Sequence, residues 1–204
     1  MKRFVSFALV LVIGLYVVSR MSSAPAGAAP ATINTPATTS ASGHAAIPGV
    51  HTITGKQSLS AAFIDQVLAS AHSPMQGDGA AFVQLGDQSG IDAAYVLAIF
   101  HHESGYGTTG EARASRSPGN TRCLDRAHYG DLQTWCQDAY AWFPTWYAGL
   151  VALYRLLAGP LYVSGGLVTI EQVIPRWAPP GDHNNDSAYI AAVLEDVSSW
   201  RASA

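Results

Sequence analysis

Apolar positions recur at helical spacing along much of the chain's second half and predict a mainly helical domain. Phe63, Ile64, Val67, Leu68 and Ala71 form one stripe, with Ser58 or Ser60 as its N-cap. Ile91, Ala94, Tyr95, Ala98, Ile99 and His102 mark a second and more apolar helix from Ile91 to Glu103, stopped by Gly105. Thr145 is placed to cap a third, Trp146 to Leu157, which ends before Gly159-Pro160. Thr169 and Gln172 have capping-box spacing for a short helix from Ile170 to about Pro175, and Asp186 can cap a last one from Ser187 to Ser199. Between Gly105 and Pro144 the periodicity fails, and Gly, Pro, Asn and aromatic residues take over. The pattern therefore predicts a helical lobe set against a smaller, loop-rich lobe.

The N-terminal part has a different character. Met1-Lys2-Arg3 precedes an uncharged run from Phe4 to Val18, the form of a secretion signal. Residues 1–21 are read as a signal peptide or N-terminal membrane anchor. Residues 22–55, rich in Ala, Pro, Thr and Ser, are read as a disordered linker, because so few large side chains cannot offset the entropy of ordering. Residues 56–204 form the folded domain, of the usual size for one. If the leading segment stays uncut, it holds the protein in the membrane with the domain outside. Either outcome places the domain in an extracytoplasmic position, secreted or anchored to the cell membrane.

Composition narrows the function. Charged residues are 12% of the 204, about half the roughly 25% of an ordinary soluble domain. Eleven Lys and Arg against fourteen Asp and Glu leave no basic surface for phosphates, which argues against nucleic acid as a partner. Neither a G-x-S-x-G elbow nor a phosphate-cradling Gly loop occurs, which removes esterase and nucleotide chemistry. His101-His102 lacks the H-E-x-x-H arrangement of zinc peptidases; one imidazole is expected under a cleft and the other toward water. Asp182, Asn184 and Asp186 open like a calcium loop but lack its sixth-place Gly and its acidic twelfth residue. No metal and no cofactor are expected.

Two cysteines, Cys123 and Cys136, lie in the irregular lobe. In an exported domain they read as a disulfide contributing on the order of 3 kcal/mol, the rival being a metal site with His128 between them. Glu103 ends a nearly uncharged helix. Apolar neighbours and the negative end of the helix dipole both disfavour its ionised form, as a general acid for a glycosidic oxygen requires.

The segment Gly90 to Gly110, with its core Glu103-Ser104-Gly105-Tyr106-Gly107-Thr108-Thr109-Gly110, resembles the glucosaminidase domains of bacterial cell-wall hydrolases. These are endo-β-N-acetylglucosaminidase-like members of the lysozyme-like superfamily. Pro118-Gly119-Asn120, the run Tyr140 to Leu157, and Trp177-Ala178-Pro179 followed by Asn185-Asp186 and Tyr189 resemble later segments of the same family in the same order. The resemblance spans roughly residues 80 to 200. It implies an α+β lysozyme-like fold with a cleft between lobes, Glu103 as catalytic acid, and Tyr189 lining the cleft to orient the sugar or steady the developing positive charge. It implies substrate contacts from Tyr106, Asn120, Trp142, Trp177 and Asp186, with peptidoglycan glycan strands as partner and a monomer as the working form.

The chain departs from the family where Asn120-Thr121-Arg122-Cys123 replaces its Asn-Leu-Phe-Gly run. Asp125, Asp131 and Asp138 all fall where a second carboxylate belongs. Asp131 is preferred because Tyr129-Gly130 reads as a turn at the lobe's tip. An inverting hydrolase would set it roughly 6.5–9.5 Å from Glu103. Two other readings stand beside hydrolysis: a lytic transglycosylase, which needs one Glu, and a non-catalytic wall-binding module. By helical spacing Trp146 and Tyr147 are assigned to the core, and Trp135 to packing on the disulfide.

Overall fold

Ser60 begins the first helix: its hydroxyl accepts the Phe63 amide at 3.2 Å, and α1 runs Ala61–Ser70 with Ile64 and Leu68 buried. In the computed structural model, residues 51–124, 135–179 and 185–204 are described. The other helices are α2 (Gly79–Ser89), α3 (Ala93–Ser104), the single turn α4 (Ala112–Ser115), α5 (Trp146–Ala158), α6 (Ile170–Trp177) and α7 (Asp186–Ser203). Two short antiparallel strands, β1 (Trp135–Gln137) and β2 (Tyr140–Trp142), pair Trp135 with Trp142 and Cys136 with Ala141. Among the described residues the domain is mainly helical, as the hydrophobic pattern predicts, with one small sheet.

α3 is the centre. Every residue from Ala93 to Phe100 is buried, so it is not an amphipathic surface helix but one wrapped by its neighbours. It starts two residues later than the apolar stripe suggests, because Asp92 serves as N-cap and accepts the Ala94 amide at 3.1 Å. The same carboxylate takes the Ser58 amide at 3.1 Å and the Arg201 guanidinium at 2.9 Å, which ties the start of α3 to the end of α7. At the other end Gly105 adopts a left-handed conformation, and the Gly105 and Tyr106 amides close on His101 and Phe100 carbonyls. Phe100 sits among three aromatic rings, with centroids 6.3 Å from Phe82, 6.0 Å from Tyr106 and 5.9 Å from Trp146.

Three expectations need correction, and one helix has no counterpart in the sequence reading. The linker was placed through residue 55, yet Ile53 is 1% exposed and bonded on both sides, its amide to Val168 and its carbonyl to the Asp92 amide. Residues 51–55 thus belong to the folded unit; a single strand-like pass of five residues is too short to register as periodicity. α2 carries no sequence prediction, because Gly79, Gly86 and Asp87 dilute its apolar face; Phe82 and Leu85 are nevertheless buried. Asn185, not Asp186, caps α7 by accepting the Ala188 amide at 3.1 Å. Tyr147 is 51% exposed rather than core, since α5 turns Leu150, Leu153, Tyr154 and Leu157 inward instead. Thr145 and Gln172 perform as read: the Thr145 hydroxyl accepts the Ala148 amide at 3.1 Å, and the Gln172 side chain reaches back to the Thr169 amide at 3.2 Å.

The 116–118 segment passes close against α5 at Gly149. A Cβ there would lie 2.1 Å from the Arg116 carbonyl and 2.9 Å from Pro118 Cδ. Helix propensity alone favours Ala over Gly by about 1 kcal/mol, but this contact reverses the sign. Gly149→Ala is expected to destabilise the domain by about 1–3 kcal/mol in denaturant unfolding, and an unchanged midpoint would show that the 116–118 segment yields freely.

Candidate active site

The last turn of α3 delivers Glu103 to the wall of a groove of about 830 Å³ lined also by the 119–124 segment, Tyr140, α6 and α7. Trp177, the last residue of α6, donates its indole N–H to Glu103 Oε1 at 2.9 Å, and Tyr189, from the first turn of α7, donates its hydroxyl to the same oxygen at 2.7 Å. Three helices thus converge on one carboxyl. The indole ring reaches this position across Gly119, where a Cβ would collide with it at 2.7 Å. Asn120 stands next to Gly119, and its side-chain amide approaches the Glu103 carbonyl at 3.5 Å.

The environment holds the Glu103 proton more tightly than water would. Burial raises its pKa, opposed by the hydrogen bonds from Tyr189, Trp177 and Asn120 and by the nearby His102; burial prevails. Trp177 can only donate, and Tyr189, whose own pKa burial raises, stays protonated. With both bonds on Oε1, the proton of the neutral acid belongs on Oε2. A neutral carboxyl so arranged has its accepting oxygen fixed by two donors.

Of the residues the sequence singles out, Glu103, Asn120, Trp177 and Tyr189 come together in the groove. Three others do not. Tyr106 is 8% exposed and stacks parallel to His101 at 4.6 Å with its edge against Phe100, so it supports the end of α3 rather than a substrate. Trp142 pairs with Trp135 at 5.5 Å on the hairpin and lies off the groove, whose lining on that strand comes from Tyr140. Trp135 therefore packs on a ring, with 37% of its surface exposed. Asp186 opens α7 but does not line the groove; one of its carboxyl oxygens is buried and has no hydrogen-bond partner among the described residues.

Asp131 and Asp125 lie outside the described residues, as does His128. Asp138 occupies the exposed hairpin turn with a left-handed backbone, beside Gln137, and does not line the groove. Among the described residues, Glu103 is the one carboxylate that lines it. Cys123 and Cys136 are joined in a disulfide, which fits an oxidising compartment.

Of the two histidines, one of which was expected under a cleft, His102 is the one that lines the groove; sequence reasoning missed Arg122, Tyr140, Tyr162 and Arg176. Two signals pointed toward them. Arg176 directly precedes the Trp177-Ala178-Pro179 signature, and Tyr140 opens the aromatic run. Arg122 sits over the Tyr140 ring at 4.7 Å, a contact between segments eighteen residues apart that no local pattern encodes. No model of a known protein family matches the chain, and no curated protein matches it.

Proposed function

We propose that this chain is an exported peptidoglycan hydrolase that cuts the β-1,4 bond following N-acetylglucosamine, with Glu103 as general acid. The observation that carries the reading is the Glu103 carboxyl in the groove wall, one oxygen held by Trp177 and Tyr189. The groove is large enough for a few sugar rings and is walled by Trp177, Tyr162 and Tyr140, whose faces suit the C–H faces of pyranoses. The likeness of the Glu103-Ser104-Gly105-Tyr106 turn to glucosaminidase domains supports the bond chosen. The disulfide and the leading apolar segment support work outside the cytoplasm, from a tether at the membrane or in free secretion.

In the proposed reaction the Oε2 proton passes to the glycosidic oxygen as the bond to the anomeric carbon breaks. Charge builds on that carbon and its ring oxygen. Water adds to the carbon, losing its proton to Asp131 or another small-lobe carboxylate; alternatively the acetamido oxygen of the same sugar attacks first and water opens the ring it forms. Tyr189 and Trp177 keep the Glu103 anion in place once the proton has left, so that it can be reprotonated. Asn120, beside the acid, is assigned to hold the sugar.

The test is a suspension of purified cell walls treated with the full chain. Falling turbidity with new reducing ends supports catalysis. Tight retention on the walls without any release would assign the chain to wall binding instead.

Tyr189→Phe tests the wiring. Its hydroxyl favours the ionised carboxyl, so its loss raises the Glu103 pKa further. The acid works while protonated, hence the alkaline limb of the rate profile should move to higher pH. The turnover rate should fall about tenfold through lost positioning. An unmoved limb would show that this hydrogen bond does not govern the acid.

A further inference from the structure

Directly before Glu103 the chain carries two consecutive histidines, and the proposed reaction uses neither. Residues one apart on a helix point about 100° away from each other, yet both rings turn toward one carboxylate. Asp196 Oδ2 lies 2.6 Å from His101 Nδ1 and 3.0 Å from His102 Nε2. Neighbouring rings hold both imidazoles: His101 lies flat on Tyr106 at 4.6 Å, and His102 leans on Tyr189 at 5.8 Å. Asp196 follows Tyr189 by seven residues on α7, two turns along the same face. Besides the Asp92–Arg201 tie at its other end, α3 is thus joined to α7 at this end twice, once through Glu103 and Tyr189 and once through this cluster.

We propose that His101, His102 and Asp196 form a binding site for one divalent transition-metal ion, zinc by the chemistry of the donors. Two imidazoles and one carboxylate suit zinc, cobalt or nickel, whereas magnesium and calcium demand an all-oxygen shell. The three ligand atoms fall within 4.8 Å of one another, and bonds of about 2.1 Å to a shared ion require roughly 3–4 Å between them, so the two imidazoles must draw back from the carboxylate by under about 1 Å as the ion replaces their direct contacts of 2.6 and 3.0 Å. All three side chains keep some surface open to solvent, between 20% and 38%, so an ion can enter and retain a water as fourth ligand. Bound there, it would clamp α3 to α7, the helices that carry the acid and its hydroxyl partner. This site is independent of whether the groove cleaves glycan.

The experiment is calorimetric titration of the full, tag-free chain with zinc chloride, without any glycan, paired with thermal unfolding. One ion per chain with Kd at or below about 10 μM, and a melting temperature that climbs with zinc, is expected. Asp196→Asn keeps a similar shape but is a poor ligand and should weaken binding at least tenfold; His101→Ala should do the same. Cobalt should add visible absorption bands that both variants lack. Circular dichroism establishes that each variant is folded, and His101→Gln replaces His101→Ala if that one is not. Binding only at millimolar zinc, or equal affinity in folded variants and parent, overturns the site.

Discussion

Glu103→Gln should lower glycan cleavage by about two to four orders of magnitude, the usual contribution of a positioned general acid, and should at the same time make the protein harder to melt. Gln keeps an oxygen that can accept from Trp177 and Tyr189, so both hydrogen bonds survive and the fold has no reason to change. What disappears is the proton and, at neutral pH, the cost of an ionised group in a desolvated place. Because the folded protein raises the Glu103 pKa, this residue's contribution to stability is complete below the ordinary carboxyl range and is lost as pH rises through its folded value. The Gln variant cannot ionise. Its melting temperature should exceed the parent's at pH 8, and the gap should close as pH falls to the ordinary carboxyl range. A variant that is both inactive and less stable at pH 8 would mean that burial does not dominate at this carboxyl.

Phe100→Ala should be among the most damaging single changes in the core. The ring is wholly buried, and it joins α2, α5 and the turn after α3 through Phe82, Trp146 and Tyr106. Removing it costs the transfer free energy of the side chain plus a cavity that three rigid rings cannot close, about 3–5 kcal/mol in all. Its position one turn before Glu103 means the harm reaches the site even where the fold survives. The Tyr106 amide that completes the helix end bonds to the Phe100 carbonyl, and Tyr106 supports His101. Unfolding in denaturant should show the loss as a shifted midpoint with little change of slope. A cost under about 1 kcal/mol would mean that the neighbouring rings collapse into the gap.

Local chemistry made much of the helical lobe legible. Ser60, Thr145 and Gln172 announce helix starts because capping depends on residues two or three apart, and α3 announces itself by an unbroken apolar run. α2 was not legible. Its two glycines let neighbours approach closely, the Ala61 carbonyl at Gly79 and the Ile91 carbonyl with the Gln57 side-chain amide at Gly86, and such a requirement looks like a loop in one dimension. The site divides in the same way. Glu103 could be found because a carboxyl at the end of an apolar helix is chemically odd. Trp177 and Tyr189 followed from the resemblance, while their convergence on a single oxygen depends on three helix axes that no sequence pattern specifies.

Tyr106 and Trp142 were misplaced for a related reason. An aromatic residue in a turn can face substrate or fold back on a neighbouring ring, and here partners distant in the chain decide: His101 and Phe100 in one case, Trp135 in the other. The Asp196 cluster was likewise invisible, because its third member lies ninety-five residues beyond His101.

The most direct measurement is mass spectrometry of soluble fragments released from purified peptidoglycan by the full chain in water enriched in heavy oxygen. Strands ending in reducing N-acetylglucosamine that carries one heavy oxygen, formed by the parent and absent with Glu103→Gln, are the predicted result. Anhydromuramic ends without the label would assign bond breaking to an internal hydroxyl at the other glycosidic linkage, and labelled ends released equally by the Gln variant would contradict the role given to this acid.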